Sequence, residues 1–294
     1  MTKRMYDQAQ KLRRMMLDQQ VRDAPLPPPR MIAFVGGYDR VGNSTACVAL
    51  ASAMVRTGER VLLIDGNLQR GSINTITGVQ DPDCCVQDVL AGKVRLGNAF
   101  QPGPHGLLVL TSRGESLIQS QYTHGETKRL FEDTANASQL GDLIFLDCSY
   151  GDQRLLSPAI QTADRVVVTT TVHEKAVLET YRTIKTLVNR HPALRCDAEG
   201  SAGTATIDLL INGADNEQMA AGVAERMQAT CLQYLDAEVG YAGWIPSQPD
   251  ILDAQPDSVA YGLVAAIGAR LSSVERNKPR NRRKGDSGEV AKSS

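Results

Sequence analysis

At 294 residues, 42% of them hydrophobic, with a net charge of −1, the chain has enough material for one substantial α/β domain plus arms. No apolar run approaches bilayer-spanning length and the first residues carry no signal-peptide pattern, so the reading is a cytoplasmic protein. Six cysteines (Cys47, Cys84, Cys85, Cys148, Cys196, Cys231) are scattered without C-x-x-C spacing, which argues against a zinc site or a disulfide framework.

The small net charge hides an asymmetry. Residues 1–30 sum to +4 and residues 276–294 to +5, which leaves a body near −10. Basic arms of this kind meet acidic partners, anionic lipid or nucleic acid, or are simply solvated. In the first arm, Met5, Ala9, Leu12 and Met16 recur at helical spacing over residues 3–20. A helix so short is marginal alone, and packing on its own core or docking on a partner are both open to it. Pro25-Leu26-Pro27-Pro28-Pro29 follows as a semi-rigid spacer, which favours a partner.

From Met31 onward, short apolar runs alternate with helical stretches. Strands are expected at Met31–Val35, Val61–Asp65, Leu107–Leu110, Leu143–Asp147, Arg165–Thr170, Ile207–Asn212 and Val239–Ile245. Helices are expected from Ala46 to Met54 and near 126–138, 153–162, 174–190, 215–234 and 258–273. The pattern predicts a doubly wound, mainly parallel sheet with ligands at the carboxyl ends of the strands. Residues 66–105, rich in Gly and Pro, read as a surface excursion with one short helix near 86–91. The basic run Arg276–Lys284, with Pro279 and no apolar side chain beside it, makes the tail read as disordered. The organisation is therefore residues 1–22 as an N-terminal helix, 23–30 as a linker, 31–275 as the domain and 276–294 as the tail.

The stretch Val35–Thr45 between the first strand and first helix is the chemical centre of the chain. Gly37, Gly42 and Ser44 stand where a G-x-x-x-x-G-K-[ST] phosphate loop needs them, but Asn43 holds the lysine position. Asp65 and Asp147 fall at strand ends and should converge on this loop.

Several stretches carry a resemblance. Leu63-Ile64-Asp65-Gly66-Asn67-Leu68 is similar to a hydrophobic-D-x-D-L segment, and Ala163–Thr171 with Ala176–Tyr181 to a characteristic strand–helix pair. Gly243-Trp244-Ile245-Pro246 with Pro249 and Asp250 is similar to a G-x-I-P-x-D-P turn, and Asp7-Gln8-Ala9-Gln10-Lys11-Leu12-Arg13 to D-Q-A-x-x-L-R. Over residues 5 to 270 the chain resembles the MinD/ParA-type deviant-Walker P-loop ATPases, and among them the FlhG (YlxH, FleN) regulators of flagellar number and placement.

The resemblance implies ATP or ADP with magnesium as ligand, which the departures from the family leave weakly held or not held at all. Gly37, Arg40, Gly42, Asn43, Ser44, Thr45 and Asn212 fall at nucleotide-binding positions, and Ser44, Asp65 and Asp147 at the magnesium side. Asn212 and Asp147 also read as strand-end turn residues. Asp7, Gln8, Ala9, Leu12 and Arg13 match the face that in the family stimulates the FlhF-type GTPase. Further partners it implies are a flagellar transcription factor, a C-ring protein or an intact paralogue, with placement at the membrane or cell pole through partners.

The departures all fall on one mechanism. Asn43 and Tyr38 replace the two family lysines, Asp39-Arg40 replace two glycines, and Asn67 replaces the water-orienting carboxylate. No lysine occurs between residues 31 and 92. Stabilising charge on the transferring phosphoryl group is most of this catalysis, so hydrolysis should be weak or lost and no catalytic residue is assigned. Two readings compete with a non-hydrolysing regulator. One is an ATPase that uses Arg40 or a partner-supplied residue; the other is a ParA-like positioner on DNA, for which aromatic interleaving and a helix-turn-helix are missing.

Overall fold

The computed structural model describes residues 27–79, 84–114, 122–134, 136–148, 150–195, 205–247, 252 and 254–273. The helix expected over 3–20, the basic tail and Cys196 lie outside the described residues, so the Asp7–Arg13 face has no structural account. The five remaining cysteines are buried and form no disulfide among the described residues.

The strands are β1 (Arg30–Gly36), β2 (Val61–Gly66), β3 (Gln101–Pro102), β4 (Leu108–Leu110), β5 (Leu143–Cys148), β6 (Arg165–Thr170), β7 (Thr206–Ala214) and β8 (Val239–Pro246). They form one sheet in the order β3-β4-β2-β5-β1-β6-β7-β8. Every pairing is parallel except the antiparallel β3–β4 edge. Each central strand is buried on both sides, which is why its sequence is a continuous apolar run with no alternation.

The helices are α1 (Asn43–Arg56), α2 (Ser72–Thr77), α3 (Val86–Leu90), α4 (His124–Thr134), α5 (Gln153–Thr162), α6 (Glu174–Arg190), α7 (Glu217–Leu235) and α8 (Val259–Ser272). Alternate residues of each strand feed two cores. Ala33, Val35, Ile64 and Leu146 face a core with α3 to α7, whereas Phe34, Leu63 and Phe145 face one with α1, α2 and α8. Small residues make α1 a buried wedge, with every position from Ala46 to Met54 covered. It meets α8 so closely that a Cβ on Gly268 would lie 2.3 Å from the Met54 sulfur.

The excursion expected over 66–105 is corrected. It holds a second helix, α2, and the short strand β3, and it contributes core: Ile73 and Val86 are fully buried. The helix expected near 86–91 is present as α3, whereas the six residues of α2 give too little periodicity to mark a helix. The helix expected near 126–138 runs from 124 to 134, with a separate turn at Ala137–Gln139.

Candidate functional site

β1 and β5 are central and adjacent, so the loop after β1 meets the end of β5 at the carboxyl edge of the sheet. A cavity of about 530 Å³ opens there, walled by residues 36–45, by Asn67, Gln69, Arg70 and Ser72, and by Asp147. Tyr150, Glu179 and Thr183 close the remaining side.

Two glycines are set by close approach. Gly37 donates to the Thr169 carbonyl (2.8 Å) and accepts from the Thr183 hydroxyl (2.8 Å); a Cβ there would lie 2.3 Å from Thr180 Oγ1. Gly42 caps α1 at φ 78°, and a Cβ would meet Asn212 Nδ2 at 2.2 Å. Arg40 adopts φ 57° without being glycine, a conformation L residues seldom occupy. Its side chain is 87% exposed and stands 3.8 Å from Asp39, which also binds Arg70 at 2.8 Å.

Asn43 does not present its side chain as a free phosphate ligand. Its Nδ2 donates to Asp147 Oδ1 and its Oδ1 accepts from Thr169 Oγ1, each at 2.7 Å. The amide thus stitches the start of α1 to β5 and β6. Asn212, expected from the resemblance at a nucleotide-binding position, donates from Nδ2 to the Val41 carbonyl (2.8 Å).

Asp65 and Asp147 are register neighbours on β2 and β5, and both are buried. Burial, reinforced by the Asp147 charge, pushes Asp65 up to about 7 against hydrogen bonds from Ser112, Asn67 N–H and Ile73 N–H. Burial also raises Asp147, opposed by Ser44 and Asn43. Asp65 already accepts from Asn67 N–H and Ser112 Oγ, each at 2.9 Å, and does not reach the cavity wall. Asp147 Oδ2 is buried without an aligned hydrogen-bond partner, and the Ser44 hydroxyl nearby favours its charged form.

Ser44 and Asp147 therefore fit a hard divalent cation that completes its shell with water and phosphate oxygens. Among the described residues no group of three or more His, Cys, Asp or Glu could hold a metal on its own. Asn67 lies on the cavity wall with its Oδ1 buried and unpartnered. At Tyr38, the family's second lysine position, a cation arrives from α6: Lys175 Nζ stands 5.4 Å from the ring centroid, and a hydrogen bond to Tyr38 raises its pKa.

The loop residues Gly37, Arg40, Gly42, Asn43, Ser44 and Thr45 thus share one cavity with Asp147, while Asp65 and Asn212 brace it from behind. Sequence reading missed Arg70, Ser72, Ser112, Thr169, Thr180 and Thr183. Ser112 and Thr169 follow the strand-end logic that found Asp147 and were open to the same inference. Arg70 had no motif to mark it.

A glycine loop running from a central parallel strand into a buried helix, with an acidic pair at neighbouring strand ends, defines a P-loop-type α/β protein. Residues 30–194 match the AAA_31 family model, described as an AAA domain, and the chain belongs to that family, within the MinD/ParA-like P-loop ATPases. An uncharacterized ATP-binding protein of Methanocaldococcus jannaschii is 26% identical over 250 residues, 82% of this chain and 86% of that protein. The antiactivator FleN of Pseudomonas aeruginosa is 24% identical over 259 residues, 84% of this chain and 87% of that protein. Two solved structures show the same fold. MinD in the Aquifex aeolicus MinC:MinD complex has a TM-score of 0.64 at 20% identity, covering 85% of this chain and 98% of that one. The Pyrococcus horikoshii MinD complexed with Mg-ADP has a TM-score of 0.62 at 18% identity, covering 83% and 96%.

Proposed function

We propose that this MinD/ParA-like protein is a FlhG-like regulator that acts by binding other proteins and hydrolyses ATP slowly or not at all. The observation that carries the reading is the engagement of Asn43 with Asp147 and Thr169 where relatives place a lysine. An amide held by two hydrogen bonds brings no cation to a β/γ-phosphate, and Asn67 cannot take a proton from water as a carboxylate would.

Some of the cavity's chemistry is intact. Backbone N–H groups at the start of α1, Ser44 and Asp147 would hold a magnesium nucleotide weakly. A bound magnesium ion would neutralise phosphate charge. The chain's own contribution is to hold the loop open through Gly37 and Gly42 and to keep Asp147 oriented through Asn43.

The likeness to the antiactivator FleN supports a regulatory role, and the resemblance of the Asp7–Arg13 segment to the FlhG element supports a flagellar setting with an FlhF-type GTPase as partner. On a helix, Gln8 with Leu12 and Ala9 with Arg13 share faces four residues apart, which suits pressing polar groups and a cation against a GTPase rim. The test is GTP turnover by such a GTPase with the full chain added, with and without ATP. Stimulation independent of ATP and lost in the Gln8→Ala/Leu12→Ala variant is expected. Absence of stimulation by the wild-type chain overturns the activator reading.

A further inference from the structure

The cavity has no lysine in its loop, yet one guanidinium stands at its mouth on tightly fixed backbone. Arg70 belongs to a turn in which its own N–H and that of Gly71 donate to the Asn67 carbonyl, each at 3.1 Å. Ser112 Oγ donates to the same carbonyl at 3.3 Å. Gly71, at φ 58°, crosses Gly114 so closely that a Cβ would lie 2.7 Å from the Gly114 nitrogen; a Cβ on Gly114 would lie 2.7 Å from the Arg70 carbonyl. On the loop side, Ser72 Oγ meets Ser44 Oγ at 3.0 Å. The backbone of Arg70 is therefore held from both sides and only its side chain is free to move.

That side chain crosses the cavity mouth to Asp39, with Nη2 2.8 Å from Oδ1. Arg70 and Asp39 line the same cavity, and their side chains are 59% and 53% exposed. Arg40, the cation within the loop, is a poorer candidate: it is almost fully exposed, and among the described residues its ion pair is the 3.8 Å contact to Asp39.

We propose that Arg70 is the phosphate-recognising cation of this cavity, and that Asp39 is a built-in acidic occupant that a polyphosphate must displace. A carboxylate and a phosphoryl group offer the guanidinium the same pair of oxygens, so one can stand in for the other. An exposed ion pair adds little stability, so the exchange itself is cheap. The cost is that Asp39 keeps its charge beside the incoming anion and lowers its affinity. The cavity thus has a cation of its own, masked by the residue that replaced a loop glycine. This rests on the reading that the cavity takes a magnesium nucleotide weakly.

Calorimetric titration of the full chain with Mg-ADP, Mg-ATP and pyrophosphate tests it, since both side chains are exposed enough to replace without loss of fold. Asp39→Asn should bind about three- to tenfold more tightly and Arg70→Ala at least about tenfold more weakly, with Arg70→Lys between wild type and Arg70→Ala. The Asp39→Asn/Arg70→Ala double variant, freed of the carboxylate but lacking the guanidinium, should bind at least about tenfold more weakly than Asp39→Asn. Pyrophosphate following the same order supports recognition through phosphate alone. Wild-type affinity in Arg70→Ala, or no gain in Asp39→Asn, overturns the assignment while leaving the nucleotide reading in place. No uptake of any ligand by wild type or Asp39→Asn at millimolar concentration overturns both.

Discussion

Asn43→Ala removes two partners with one substitution, and the structure says what each is worth. Asp147 is almost fully buried and would lose the donor on Oδ1; Thr169 is fully buried and would lose the acceptor of its hydroxyl. A hydrogen bond to a charged group is worth about 1.5–3 kcal/mol and one between neutral groups about 1 kcal/mol, so the loss is about 3 kcal/mol. For a domain of this size that corresponds to a fall in Tm of roughly 6–12 °C. The loss should also depend on pH. Asn43 favours the charged form of Asp147, so its removal raises a pKa that burial has already raised. The penalty is therefore largest above the variant's Asp147 pKa and shrinks at acid pH, where the carboxyl is protonated in both proteins. Circular-dichroism melts across a pH series from acid to neutral measure both effects. A loss below about 0.5 kcal/mol near neutral pH, or one that stays the same size down to the most acid pH at which the protein folds, would refute the bridging role of the amide.

Two further outcomes follow from the same geometry. Asp65, raised to about 7 by burial and by Asp147, binds a proton in the folded state that the unfolded chain has already released above pH 4. Stability should therefore fall as pH rises from about 4 to about 7, by at most ~1.4 kcal/mol per pH unit, and level off above. Urea unfolding should show that fall flattened in Asp65→Asn, and an unchanged slope would contradict the assignment. Gly37→Ala places a Cβ 2.3 Å from Thr180 Oγ1 and should cost about 1–3 kcal/mol, partly recovered by Thr180→Ala. A Gly37→Ala protein as stable as wild type would show that the loop yields where the packing says it cannot.

Most of the fold was open to sequence reading because parallel strands buried on both faces announce themselves as unbroken apolar runs. β1, β2, β5 and β6 did so, and α5 and α6 were placed to the residue. The region from Gly66 to Gln101 was legible only at α3, expected near 86–91; α2 is too short for a 3.6-residue period and the burial of both helices depends on where the chain folds back. The site divided in the same way. Gly37, Gly42, Ser44 and Asp147 hold positions in a local motif. What Asn43 does was hidden, because its partners Asp147 and Thr169 lie 104 and 126 residues away. Arg70 escaped notice because its meaning comes from a crossing with Ser112–Gly114 and an ion pair to the loop, neither of which sequence spacing records.

Turnover of Mg-ATP by the full chain, beside an Asn43→Lys variant, decides whether this cavity is a working ATPase site. Inorganic phosphate release by the wild-type protein should be at most marginally above a protein-free control. Asn43→Lys should bind nucleotide more tightly without gaining appreciable turnover, because Asn67 still replaces the water-orienting carboxylate. Sustained turnover by the wild-type protein, abolished by Ser44→Ala, would contradict the proposed function.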